Sequence, residues 1–106
     1  MMTLNRFGLP DDVFNEIVDV LRKYPQISRA VIFGSRAKGT HKRYSDIDLA
    51  IFADTDESID SDVKAALDDL DIIYNSDVLH YEKTSCEEIK SHIDRVGVEI
   101  YSKGCP

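Results

Sequence analysis

Three short runs rich in β-branched and aromatic residues, at positions 28–33, 46–52 and 76–81, alternate with segments whose apolar residues recur at helical spacing. That alternation restricts the chain to helices layered on a small mixed sheet, an α/β (α+β) architecture. At 106 residues the whole length, 1–106, is expected to form a single small domain with no repeat, linker or low-complexity stretch.

The elements follow from local signals. Val13, Phe14, Ile17, Val20, Leu21 and Tyr24 mark a helix over 12–24, which Pro25 stops because it lacks an N–H and clashes with the preceding turn. The first apolar run ends at Gly34, and Gly34-Ser-Arg-Ala-Lys-Gly39 reads as a turn into a very short helix closed by Gly39. A polar loop over 40–45 leads into the second strand, and an acidic loop over 54–57 follows it. Ile59, Val63, Ala66, Leu67, Leu70 and Ile73 predict a second long helix. After the third strand, Ser85 and Glu88 form a capping-box pattern that opens a helix with Cys86, Ile89, Ile93 and Val96 on one face. Gly97 ends it, and 98–101 forms a short fourth strand.

The charge balance narrows the partners. A formal net charge of −7 and a pI near 4.8 deny the chain the broad positive field that extended nucleic acid requires. Arg36, Lys38, His41, Lys42 and Arg43 nevertheless gather within eight positions, a local basic patch better matched to a small polyanion. No apolar run approaches the roughly 18 residues of a membrane span, and the N-terminus carries no signal-peptide pattern. Cys86 and Cys105 are the only cysteines, with Cys86 expected in an apolar stripe, so no disulfide and a reducing cytoplasm are expected.

Two features carry chemistry. Gly34-Ser35 stands at a strand-to-helix junction, where glycine permits a tight turn and unpaired N–H groups plus the Ser35 hydroxyl can cradle phosphate oxygens. Asp46-Ile47-Asp48 opens the next strand, and residues two apart on a strand share a face. Two carboxylates about 4 Å apart repel by roughly 4 kcal/mol at an effective dielectric near 20, so the pair calls for a compensating cation or a proton. Mg²⁺ is the natural cation, being hard and commonly shared with substrate phosphates. Two such ions about 3.5–4 Å apart would stabilise both oxygens of an in-line displacement. If the third strand lies beside the second, Asp77 becomes a third ligand or a base for an attacking hydroxyl.

Gly34-Ser35, ten intervening residues and then Asp46-x-Asp48 resemble the signature of the polymerase-β-type nucleotidyltransferase superfamily. Phe33-Gly-Ser-Arg-Ala-Lys-Gly39 through Ser45-Asp-Ile-Asp-Leu49, with the Asp77 strand and Val98-Glu-Ile-Tyr101, are similar to its minimal (MNT) branch. The resemblance implies a nucleotide-binding fold in which the serine holds triphosphate and three aspartates hold Mg²⁺. It also implies a HEPN-domain partner, a toxin that the MNT protein neutralises by transferring AMP from ATP to a tyrosine. Gly34, Ser35 and Arg36 are the expected nucleotide-binding residues, and Asp46, Asp48 and Asp77 the expected metal ligands and catalytic groups. Larger superfamily members carry extra domains for nucleic-acid or aminoglycoside acceptors.

Each motif alone has a plainer reading: many strands end in glycine, and Asp-x-Asp is common at a solvated edge. Their combination at the right interval after two apolar runs favours the functional reading. A Walker A loop would need Lys after Gly39, where Thr40 stands. An EF-hand would need a third ligand at position 50 and Gly at 51, where Ala50 and Ile51 stand. Asp54, Asp56 and Glu57 suit a solvated loop, and Asp68, Asp69 and Asp71 an exposed helix face. His41, His80 and His92 lack the clustering of a zinc site. Two other functions remain open: an antitoxin that binds nucleotide without turnover and merely covers its toxin, and a transferase for a small-molecule acceptor.

Overall fold

The computed structural model describes residues 7–39, 45–55, 57 and 59–103. Helix α1 (Asp11–Arg22) leads into β1 (Ile27–Phe33), the short α2 (Ser35–Lys38) and β2 (Ile47–Ala53). Then come α3 (Ile59–Asp68), β3 (Ser76–His80), a 3₁₀ turn at Tyr81–Lys83, α4 (Glu87–Val96) and β4 (Val98–Ser102). The strands form one sheet in the order β3-β2-β1-β4, with β1 antiparallel to β2 and β4, and β3 parallel to β2. This is the mixed α/β arrangement expected from the alternation of periods.

The two faces of the sheet have different fates. Ile47, Leu49, Ile51 and Ala53 alternate onto a face covered by α1 through Ile17, Val20 and Leu21, and by α3 through Ile59, Val63 and Leu67. All of these side chains are buried, so this face supplies most of the apolar burial that stabilises the fold. The intervening residues Asp48, Ala50 and Phe52 lie on the opposite face, where a smaller cluster joins Val31 and Ala50 to Ile93 of α4. One helix cannot blanket a four-stranded sheet, and the Asp48 end of this face stays partly open.

Three local expectations are corrected. Helix α3 ends at Asp68, several residues before Ile73, which is 71% exposed. Its last turn has no basic residue and runs into Asp68, Asp69 and Asp71, a charge pattern that opposes the helix dipole. The chain tightens there through Leu70 N–H to the Leu67 carbonyl at 3.1 Å and turns toward β3. Helix α4 is capped by Cys86, not Ser85, and no side chain bonds to its first N–H groups. With Cys86 at the cap, Glu88 stands one position short of the reciprocal spacing that a capping box requires. Cys86 is accordingly exposed rather than part of an apolar stripe, and the burial of α4 falls on Ile93. The fourth strand forms as expected, while 40–44 and Cys105 lie outside the described residues.

Candidate active site

The end of β1 and the start of β2 are locked together by the register pair Phe33 and Asp48. Directly after Phe33 the chain reverses at Gly34, which adopts φ +75° and precedes the first turn of α2. A Cβ at Gly34 would collide with Asp48 Oδ2. Two demands therefore coincide on glycine, a left-handed backbone and a carboxylate seated against the α-carbon. Ser35, half-buried, opens α2, and Gly39 closes that helix with φ +80°. At four residues α2 has a small dipole, so any grip on an anion here comes from individual N–H groups and the Ser35 hydroxyl.

The sheet assembles the carboxylates. Asp48 and Asp77 are register partners on the parallel strands β2 and β3, so their side chains stand side by side on one face. The condition placed on the third strand by the sequence is met: β3 neighbours β2. Asp46 precedes β2 by one residue and is exposed. Burial, first, and the negative charges of Asp77 and Asp46, second and third, push the Asp48 carboxyl above its ordinary pKa, with His92 acting in the opposite direction. These carboxylates are close enough to sense one another, and a positive charge placed among them would be stabilised.

Arg36 goes elsewhere. Its side chain is 1% exposed, and its guanidinium donates to the Phe7 carbonyl at 2.7 Å and, through Nε and Nη2, to the Ser45 carbonyl at 3.1 and 2.9 Å. The cation also lies 5.0 Å over the Tyr74 ring. Charge-assisted bonds from one planar fork thus tie α2 to the residue just before Asp46. The structure brings Gly34, Ser35, Asp48 and Asp77 together with Asp46 at the rim, and turns Arg36 into the interior behind them.

Sequence reasoning also missed the role of α4. His92 stacks edge-on to Phe33 with ring centroids 6.1 Å apart, and Tyr81 donates to both carboxylate oxygens of Asp94 at 2.9 and 3.1 Å. Phe52 stacks on Tyr81 at 4.4 Å, with Arg29 over Phe52 at 4.4 Å and Lys90 over Tyr81 at 5.4 Å. This ladder of rings and cations holds α4 across the open face. These residues come from β1, β2, the 3₁₀ turn and α4, so only the assembled sheet reveals which of them meet.

Magnesium is the ion that such a site implies. The donors are hard carboxylate oxygens, and Asp48 carries the electrostatic penalty that a divalent cation would relieve, so the residues fit. Among the described residues no three His, Cys, Asp or Glu side chains close on one point. The protein would thus hold the ion on a partial set of ligands, with phosphate and water oxygens completing the shell, as is usual for Mg²⁺.

A glycine-serine turn beside aspartates aligned across a mixed sheet is the arrangement expected of a nucleotidyltransferase-type domain. Residues 15–104 match the family described as Polymerase beta, Nucleotidyltransferase, and the chain belongs to that family. It is 39% identical over 75 residues to a protein of Haemophilus influenzae named "Probable protein adenylyltransferase MntA", a match spanning 67% of this chain and 63% of that relative's length. Its fold also superposes with a TM-score of 0.67 on a crystal structure of a toxin–antitoxin with AMP-PNP, at 27% identity over 85% of this chain and 73% of the other. A Shewanella oneidensis structure, of an AMPylated HEPN toxin in complex with MNT antitoxin, matches in fold with a TM-score of 0.60 at 22% identity, covering 88% of this chain and 72% of the other. Among the described residues no helix is long and apolar enough to cross a membrane.

Proposed function

We propose that this chain is a Mg²⁺-dependent nucleotidyltransferase that moves AMP from ATP to a hydroxyl, the acceptor being a tyrosine of a HEPN toxin that it neutralises. The observation that carries this reading is the register of Asp48 against Asp77, with Gly34 pressed on the Asp48 carboxylate. That geometry gathers negative oxygens beside a turn able to hold phosphate, the division of labour that phosphoryl chemistry needs. The 39% identity to a protein named as a probable protein adenylyltransferase, and the fold shared with a chain of a toxin–antitoxin structure that contains AMP-PNP, support the choice of ATP and of a protein acceptor.

In this reading the Ser35 hydroxyl and the N–H groups of the Gly34 turn bind triphosphate oxygens. Asp46, Asp48 and Asp77 would each contribute to a partial ligand set for two Mg²⁺ ions, phosphate and water oxygens completing the shells, and the ions when bound supply charge neutralisation at the α-phosphorus. Asp77, exposed at the edge strand, would orient the acceptor hydroxyl and take its proton. The tyrosine oxygen attacks the α-phosphorus, the bond to the β-phosphate oxygen breaks, and pyrophosphate leaves. Gly34 serves by having no side chain, and Arg36 by fixing the approach to Asp46 rather than by touching phosphate. The reaction takes place in the cytoplasm, with the domain acting on its partner without extended nucleic acid or membrane.

Incubation with α-³²P-labelled ATP, Mg²⁺ and a HEPN-domain protein encoded beside it tests the reading. Label on the partner that disappears in Asp46→Ala and Asp48→Ala supports it. Full neutralisation of the toxin with no label transferred would replace it with the non-catalytic antitoxin, and label on an added aminoglycoside with a small-molecule transferase.

A further inference from the structure

The open face of the sheet carries a group that the carboxylates and Ser35 leave unexplained. His92 projects from α4 to meet Phe33, and Phe33 is both the register partner of Asp48 and the residue before Gly34. The imidazole therefore stands over the junction where the turn and the carboxylate row meet. Its position is fixed by packing. Ile93 is buried against Val31 and Ala50, and Tyr81 holds Asp94 two residues beyond His92. Gly97 closes the helix with its N–H on the Ile93 carbonyl at 2.7 Å, at a point where a Cβ would lie 2.5 Å from that carbonyl oxygen.

His92 is half-buried, so the ring is more than core filler. One side reaches electrostatically to Asp48. Another borders an open depression along the surface of α4 that Glu87, Glu88, Ser91 and Arg95 also line. A triphosphate bound at the Gly34 turn would add negative charge to the three aspartates, and Mg²⁺ offsets only part of the sum. A donor on the facing helix would meet that need, and an imidazole N–H is such a donor.

We propose that His92 is a substrate-positioning residue whose imidazole donates to a non-bridging oxygen of the triphosphate, clamping the nucleotide between α4 and the Gly34-Ser35 turn. This inference rests on the nucleotidyl-transfer reading above, and it adds to that site a contact from an element outside the sequence signature.

Titration of wild type, His92→Ala and His92→Gln with Mg·AMP-PNP by calorimetry, beside steady-state transfer kinetics, tests it. His92→Ala is expected to weaken AMP-PNP and raise the KM for ATP by about tenfold, with kcat within about threefold, the pattern of lost ground-state binding. His92→Gln keeps an N–H donor and recovers most of the loss, which a purely packing role would not allow. Wild-type affinity in His92→Ala, or no recovery in His92→Gln, overturns the assignment. If His92→Ala fails to fold, His92→Leu, which fills space without an N–H donor, takes its place: near-wild-type affinity in it refutes the contact, and a loss of about tenfold that His92→Gln recovers supports it. Binding by wild type without label transfer would sink the enzymatic reading while the titration still judges His92. No binding of AMP-PNP by wild type sinks both.

Discussion

Replacing Asp48 by asparagine should make the protein more stable while abolishing its proposed chemistry. Asp48 and Asp77 are register partners on adjacent parallel strands, which run about 4.8 Å apart. Two carboxylates at that spacing repel by about 0.9 kcal/mol in water and about 3.5 kcal/mol at an effective dielectric of 20. Asp48 is half-buried and Asp77 exposed, so solvent screening keeps the relief near the lower figure, about 1 kcal/mol. For a domain of this size that raises Tm by roughly 4–8 °C. The pH dependence has a definite sign. Because the folded-state pKa of Asp48 lies above the ordinary value, the native state binds more protons than the unfolded state between those two values. Wild-type stability therefore falls as pH rises through that window, and the penalty is complete above it. The gain in Asp48→Asn should be full at pH 7 in EDTA and shrink as pH is lowered toward the ordinary carboxylate range. Melting curves followed by circular dichroism at a series of pH values measure it. An Asp48→Asn protein less stable than wild type at pH 7, or one whose advantage is the same at every pH, would refute the electrostatic reasoning.

Gly34→Ala combines a φ of +75° with a Cβ driven into Asp48 Oδ2. It should lower stability by about 1–3 kcal/mol in thermal melts, with transfer activity falling more than the stability loss explains. Arg36→Lys preserves the charge but not the planar fork that serves the Phe7 and Ser45 carbonyls. It should cost about 2–3 kcal/mol, read as a lower Tm with the KM for ATP nearly unchanged in the folded protein. A raised KM at wild-type Tm would instead return Arg36 to the phosphates.

How much of this was legible in the sequence depended on whether a feature was local. Gly34-Ser35 and Asp46-x-Asp48 could be placed because backbone reversal and same-face alternation are properties of a few adjacent residues. Asp77 could be proposed but not joined to the others, since its approach to Asp48 requires the parallel pairing of β2 and β3. Arg36 was misleading for a physical reason. A cation beside a phosphate-binding turn reads as a ligand contact, yet the carbonyls that take its hydrogen bonds lie 29 and 9 residues away. Helix α3 was overextended because Leu70 and Ile73 continue the apolar period past the point where the acidic C-terminal turn stops favouring helix. His92 gave no signal, because a lone histidine acquires meaning only from the strand that its helix crosses.

The division of the sheet into two faces explains how so short a chain can tolerate a charged, partly open site. Stability is drawn from the side packed by α1 and α3, where every inward residue of β2 is apolar and buried. The other side can then carry repelling carboxylates, a left-handed glycine and a helix held by the buried Ile93, a few rings and a hydrogen-bonded aspartate. Because strand alternation separates the two sets of residues by a single peptide unit, the backbone positions of Asp48 and Asp77 are set by the same strands whose other residues build the core. The carboxylate row is thus fixed by burial on the reverse face, and its members need no contacts of their own to stay aligned. Repulsion that would scatter flexible side chains on a loop is instead retained as a standing affinity for positive charge.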